Sequence, residues 1–264
     1  MSRRLPFLNI VFCLLLPTAL MGQNPGQRIT VSIQLDSVTI RGDTIGVASV
    51  VSNLSSSQES LLSYLVDAPS GVISIRRPSP SSNWYASTNF RARPMAVWDI
   101  LEQQIAPGAA TPELYFESIG VPGILTYWSG GKFQRSDDED APDSVLVIDP
   151  LTVEMTTGKT VGVDPWPVDR TAAGLLTRLR TLTQATCSAP LLWITDSNLC
   201  SQLLSDIDQA DAYRSSGQAA QARTTMDHYI LLLTGSSPPP YAQGVSSSGY
   251  WLLTPNAQII KSIL

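Results

Sequence analysis

The hydrophobic period of this chain changes once, near residue 157, and that change limits what it can fold into. Before it, apolar side chains recur at every second position in short runs. Ile29-Thr-Val-Ser-Ile-Gln-Leu35 alternates apolar with polar, as a half-buried strand does. Val38-Thr-Ile40 continues the run, Arg41-Gly-Asp43 is a turn signal, and Thr44 to Ser52 reads as the returning strand. Leu61 to Val66 and Gly71 to Ile75 read as further strands. So do Met95 to Trp98, Leu114 to Glu117, Ile124 to Trp128, Val145 to Ile148 and Thr152 to Met155. Pro107-Gly108, Pro122-Gly123 and Gly130-Gly131 supply turn chemistry between them. Many short strands at this spacing predict an immunoglobulin-like β-sandwich over residues 24–156. Asp99 to Ile105 has room for one helical turn at most.

Residues 157–168 read as a linker, stiffened by Asp164-Pro-Trp-Pro167, because each proline restricts itself and its predecessor. Beyond it the period becomes helical. Asp169 is the expected N-cap of a first helix whose stripe is Leu175, Leu176, Leu179 and Leu182. A second helix runs from about Asn198 to Tyr213 with Leu199, Leu203, Leu204, Ile207 and Ala210 on one face. Ser216-Gly217 stops it. A third covers about Ala219 to Leu233 through Ala222, Met226, Ile230 and Leu233. A fourth spans about Ser247 to Ile263 through Leu252, Leu253, Ile260 and Ile263. The expected fold is therefore all-β followed by all-α in two domains, with a small four-helix bundle over residues 169–264. About 240 residues remaining after a leader fit two domains of roughly 100–200 residues each.

That leader is residues 1–22. Met1-Ser-Arg-Arg4 is a positive start, Leu5 to Leu20 is apolar, and the chain then turns polar through Gln23-Asn-Pro-Gly-Gln27. This is the layout of a signal peptide, and it predicts a secreted, extracellular or periplasmic chain. An uncleaved anchor is the alternative. The run is short and broken by Pro6 and Pro17, which argues against a span of about 20 residues. No membrane span is expected in the mature chain. Loss of Arg3 and Arg4 moves the net charge from −5 to −7. An acidic export product without a basic stripe is a poor partner for nucleic acid, whose phosphates are bound by Lys and Arg. Removal of Cys13 leaves Cys187 and Cys200, an even pair in an oxidising setting, and predicts a disulfide pinning the turn between the first two helices.

The helical half resembles a known module. Asn198-Leu-Cys-Ser-Gln-Leu-Leu-Ser-Asp-Ile-Asp-Gln-Ala210, Gly217-Gln-Ala-Ala-Gln-Ala222, Met226-Asp-His-Tyr-Ile230 and the closing Leu252-Leu-Thr-Pro-Asn-Ala257 are similar to the FIMAH-type helical domain. The resemblance covers roughly residues 170–264. It implies a helical domain of the kind found in exported bacterial proteins, behind β-sandwich or enzymatic domains. It transfers no catalytic residue. The Pro238-Pro-Pro-Tyr-Ala-Gln243 insertion and the two cysteines depart from the family's pattern.

Chemistry-bearing residues are sparse. Trp84-Tyr85 follows a Pro/Ser/Asn-rich stretch and is the expected exposed pair, suited to stacking on sugar rings; the alternative is packing. Asp137, Asp138 and Asp140 offer oxygen ligands to Ca²⁺, but without EF-hand spacing a solvated hairpin tip is the favoured reading, and no metal or cofactor is expected. Arg41-Gly42-Asp43 matches an integrin tripeptide in three letters and a hairpin turn in chemistry. Gly158-Lys159-Thr160 ends like a P-loop, yet the loop's first glycine would fall on Val153. His228 is the single histidine, with no Gly-x-Ser-x-Gly elbow to serve it. Asn53-Leu54-Ser55 is a glycosylation sequon. The sequence points to a non-catalytic exported binding or surface module, with a cell-surface or extracellular ligand such as a glycan. The alternative is a secreted hydrolase using paired carboxylates among Asp99, Glu102, Glu113 and Glu117.

Overall fold

The computed structural model describes residues 29–90, 92–131, 155–235 and 240–264. The expected leader, the acidic cluster at Asp137, Asp138 and Asp140, and the strand candidates at 145–148 and 152–154 lie outside the described residues. Among the described residues, nine strands precede four helices. They are β1 (Val31–Arg41), β2 (Thr44–Asn53), β3 (Ser63–Asp67), β4 (Ser74–Arg76), β5 (Trp84–Phe90), β6 (Arg93–Ile100), β7 (Leu114–Ile119), β8 (Val121–Gly130) and β9 (Thr156–Asp164). The helices are α1 (Ala172–Thr186), α2 (Ser197–Ser215), α3 (Ala219–Leu233) and α4 (Ser247–Ile263). The strands form two antiparallel sheets, ordered β1-β2-β7-β4 and β5-β6-β3-β8-β9.

Alternation puts one face of each sheet toward the other. Ile45, Val47, Val51, Leu114 and Phe116 of the first sheet share a buried cluster with Tyr64, Val66, Ala96, Trp98 and Leu125 of the second. Trp98 meets Phe116 edge to face with ring centroids 6.1 Å apart, and its indole N–H donates to the Arg76 carbonyl at 3.0 Å. The first hairpin turns on Gly42 (φ +61°), the position where a two-residue turn demands a left-handed residue. The Arg-Gly-Asp tripeptide is thus a hairpin turn.

Several segments of the strand half differ from expectation. Residues 157–168, read as a linker, contain most of β9, and only residues 165–171 connect it to α1. β-Branched Thr156, Thr160, Val161 and Val163 favour the strand. Gly158, which suggested a loop, is there because the Tyr127 ring lies across it; a Cβ would stand 2.6 Å from that ring. Pro122-Gly123 likewise lies inside β8 and not at a turn. Trp84-Tyr85, read as an exposed loop pair, opens β5, and strand alternation separates them. Trp84 is 5% exposed and Tyr85 48%. Asp99 to Ile105 forms no helical turn, since Asp99 and Ile100 end β6.

α1 packs on α2 and α4, and α3 packs on the same two. The expected stripe of α1 is fully buried. Ile263 of the α4 stripe is exposed instead. Thr171, not Asp169, caps α1 by accepting from Gly174 N at 3.2 Å. Asp169 sits one step earlier and accepts from the Thr171 N–H and hydroxyl at 2.9 and 2.6 Å. Asp196 caps α2, and Ser246 caps α4. Cys187 at the end of α1 is disulfide-bonded to Cys200 in the first turn of α2.

The helices meet the sheets through α4, which lies on β1, β8 and β9. Ser247 Oγ accepts from Leu35 N at 3.2 Å, where a bulge interrupts β1. At the other end the Pro122 carbonyl accepts three bonds: from both Arg178 Nη atoms at 3.1 Å and from Asn256 Nδ2 at 3.0 Å. The same guanidinium donates to Asn256 Oδ1 at 2.9 Å and Asp164 Oδ2 at 3.0 Å. One continuous cluster of buried residues runs through sheets and helices.

Arg178→Ala strips this joint, takes the guanidinium from Asp164 and leaves Pro122 O with Asn256 as its remaining donor, so it is expected to cost about 2–4 kcal/mol in equilibrium urea unfolding. A loss within the ~0.5 kcal/mol of an ordinary surface change would contradict it. The Cys187–Cys200 bridge spans 13 positions. Replacing both by Ser is expected to remove about 3 kcal/mol by the same measurement, the entropy of a loop of this size.

Candidate functional site

The outer face of the five-stranded sheet carries the most suggestive grouping. Cross-strand register aligns Tyr85 (β5), Asp99 (β6), Ser63 (β3) and Gly130 (β8) in one row. Facing residues of adjacent strands lie on the same side, so these four share a surface. The row grades from open to closed: Tyr85 is 48% exposed, Asp99 half-buried and Ser63 fully buried. The Ser63 hydroxyl donates to the Asp99 carboxylate and fixes its orientation. Burial pushes the Asp99 carboxyl above its usual range, and the Ser63 bond opposes that rise. Leu101, 57% exposed, follows two residues beyond Asp99. In the next rows, Leu65, Met95 and Val97 form a small buried apolar cluster with Phe90, Trp128 and Met155. Arg93 lies over the Trp128 ring at 5.3 Å and pairs with Asp67 at 2.9 Å.

The opposite outer face, on the four-stranded sheet, holds a second polar group. Glu117 accepts from the Tyr115 hydroxyl at 2.6 Å and from the Ser74 hydroxyl at 2.8 Å, and lies 3.6 Å from Arg41. The Tyr115 bond, then the Ser74 bond, hold its carboxyl below the usual range. Arg76 stacks over Tyr115 at 4.5 Å and reaches Glu113 at 3.7 Å. Gly46 makes room for Tyr115, whose hydroxyl would collide with a Cβ there. Tyr115 and Glu117 thus use much of their bonding capacity on each other and on neighbouring strands.

The carboxylates offered for paired acid–base work do not converge. Asp99 and Glu117 face opposite sides of the molecule, Glu113 belongs to the Glu117 side, and Glu102 is exposed in the bend after β6. His228 Nδ1 lies 2.7 Å from Asp206 Oδ2 across α3 and α2. Lys159, on strand β9, donates to Thr126 Oγ1 at 2.9 Å, so Gly158-Lys159-Thr160 has no phosphate-loop geometry. Asn53 is fully buried, and its Nδ2 donates to the Glu59 and Ile105 carbonyls at 2.9 Å. The atom a glycan would join is therefore occupied. Among the described residues no group of three His, Cys, Asp or Glu is placed to hold a metal, and no helix is long and apolar enough to cross a membrane. No family model matches the chain, and no curated protein matches it.

Sequence reasoning singles out Tyr85 and, separately, Asp99. It misses Ser63 and the row that joins them, because β5 goes unread as a strand and the pairing of β6 with β3 joins segments about 30 residues apart. The signal for β5 is the strand-favouring Trp84-Tyr85 pair, hidden behind Pro78, Pro80 and three polar residues.

A group whose folded pKa is raised contributes stability below its unfolded pKa and loses it as pH rises through the folded value. Asp99→Asn is therefore expected to raise Tm at pH 7, with the gain shrinking toward about pH 3, below the ordinary aspartate range. An equal gain at both pH values in thermal melts would assign the effect to packing instead.

Proposed function

We propose that this chain is an exported, non-catalytic binding module: an immunoglobulin-like β-sandwich bearing a ligand surface, braced by a four-helix bundle of FIMAH type. Its ligand is a neutral glycan of a cell surface or extracellular matrix. The exposed Tyr85 ring beside a pre-oriented Asp99 is the observation that carries this reading. An aromatic face takes the apolar C–H face of a sugar, and a neighbouring carboxylate accepts its hydroxyls. Fixing Asp99 beforehand lowers the ordering cost of binding. The signal-peptide layout and the Cys187–Cys200 disulfide support an oxidising, extracytoplasmic setting. The resemblance of residues 170–264 to FIMAH-type domains supports the same setting. Buried apolar residues facing each other across the two sheets support the sandwich, and α1–α4 packing in a closed ring supports the bundle.

Calorimetric titration against a panel of neutral oligosaccharides tests it. Tyr85→Ala is expected to weaken the best binder about tenfold, the equivalent of roughly 1.4 kcal/mol of stacking. Equal affinity of the variant, or no binding across the panel, would remove the proposal.

A further inference from the structure

The seam between α2 and α3 holds polar side chains that the sandwich does not need. On α2, Asp206, Gln209 and Tyr213 recur at i, i+3 and i+7. On α3, Gln221, Thr224, Thr225 and His228 recur in the same way. Residues at that spacing share a helix face, and the two helices pack on each other. Asp206 meets His228 across the seam. Beyond that contact the stripes run on to an open groove of about 390 Å³, lined by Gln209 and Tyr213 from α2 and by Ala220, Gln221, Thr224 and Thr225 from α3. Small-molecule pockets measure roughly 300–1,000 Å³. Neighbouring charges are engaged elsewhere. Asp208 pairs with Arg180 of α1, Asp227 with Lys261 of α4, and Asp211 with Arg214 of α2 itself. The six residues lining the groove are uncharged.

The lining offers chiefly acceptors. Thr224 Oγ1 donates to the Ala220 carbonyl at 3.1 Å, and Thr225 Oγ1 donates to the Gln221 carbonyl at 3.0 Å. Each hydroxyl proton is thus used inside the helix, and the oxygen lone pairs remain. His228 is set in the same sense. Its Nδ1 lies 2.7 Å from Asp206 Oδ2, and a carboxylate only accepts. The proton therefore sits on Nδ1, and Nε2 of the neutral ring is a lone pair. The Asp206 side chain is 11% exposed and that of His228 55%, so the carboxylate is the fixed partner and the imidazole the outward one. The Gln209 and Gln221 carboxamides add two more acceptor oxygens, each with donors beside it. Tyr213 supplies a half-buried ring at the end of the seam away from Asp206.

We propose that the α2–α3 seam is a second ligand site, taking one ring of a neutral saccharide whose hydroxyls donate to the acceptors along it. An uncharged, acceptor-rich groove selects a ligand without charge that brings several donors close together. A sugar ring carries hydroxyl donors on adjacent carbons. An extended peptide offers one N–H per residue, about 3.4 Å apart along the chain and pointing alternately to either side, which leaves half of these acceptors unmet. The Tyr213 ring suits the apolar C–H face of the same sugar. The seam belongs to the helices and is separate from the Tyr85 face, so this inference does not rest on the sandwich's proposed role.

The chain has a single histidine, so the Cε1 proton of His228 gives one NMR signal that reports on this seam. Titration at constant pH with glucose, galactose, mannose, maltose and lactose is expected to move that signal saturably for at least one of them. The fully O-methylated form of that sugar keeps the ring and loses the donors, and is expected to leave the signal still. Gln221→Met and Thr224→Val change exposed helix positions conservatively. Each is expected to weaken the sugar about three- to tenfold, the worth of one hydrogen bond. Tyr85→Ala is expected to leave the shift unchanged. A signal unmoved by all five sugars at about 100 mM, far beyond any useful affinity, overturns the proposal. So does an equal response to the O-methylated sugar, or a parental affinity in both seam variants. A blocked, uncharged trialanine that moves the signal where no sugar does overturns it in favour of a peptide site. Loss of the shift in Tyr85→Ala overturns it as well, since the sugar then sits on the sandwich. The two sites fail separately: calorimetric binding that Tyr85→Ala removes, with the His228 signal still, leaves the sandwich reading standing and ends this one.

Discussion

The carbonyl of Pro122 is the point on which the two halves of this molecule depend. It lies at the start of β8, where a proline supplies no N–H, and it accepts from Arg178 of α1 and Asn256 of α4 together. A half-buried guanidinium at such a place needs a full set of acceptors, since a desolvated charge left unpaired costs several kcal/mol. Pro122, Asp164 and Asn256 provide them. Asn256 follows Pro255 within α4, and its amide also bonds Leu252 O at 2.7 Å, so the same side chain is held by its own helix while it ties that helix to the sheet. Because the joint fixes α4, it also fixes what α4 covers: the flank of β1 and β9.

With that flank closed, the two sheets are left unlike each other outside. One outer face is tied up by the Glu117, Tyr115, Ser74 and Arg41 contacts, while the other offers an exposed ring beside a held carboxylate. A carboxylate raised by burial and an aromatic left in water each cost a little stability, and they stand next to each other in one row. Such local departures from an optimal surface are what a binding face is made of.

Much of the fold was legible where periodicity is local. The four helices follow from stripes such as Leu175, Leu176, Leu179 and Leu182, and the Cys187–Cys200 bridge follows from an even count after the leader. What stayed hidden was set by distant partners. Gly158 looks like a loop residue until Tyr127 is laid over it, and Trp84 looks exposed until β6 turns it inward. Tyr229 is absent from the stripe expected of α3; its hydroxyl, which would bar it from a dry core, is met at 2.8 Å by Thr183 of α1. Of the candidate site, the residue types were legible and their juxtaposition was not, because no property of residues 63, 85 and 99 in isolation aligns them.

The bond between Leu35 and Ser247 reaches across 212 positions. Contacts of such separation form late, because the chain between must be ordered first. Passage of the growing chain through synthesis, from its N-terminus onward, delivers β1 well before α4. For most of that passage the first strand stands with an unfilled side. The closing helix then acts as a timer on maturation: the flank of β1 is shielded only once α4 has formed against it.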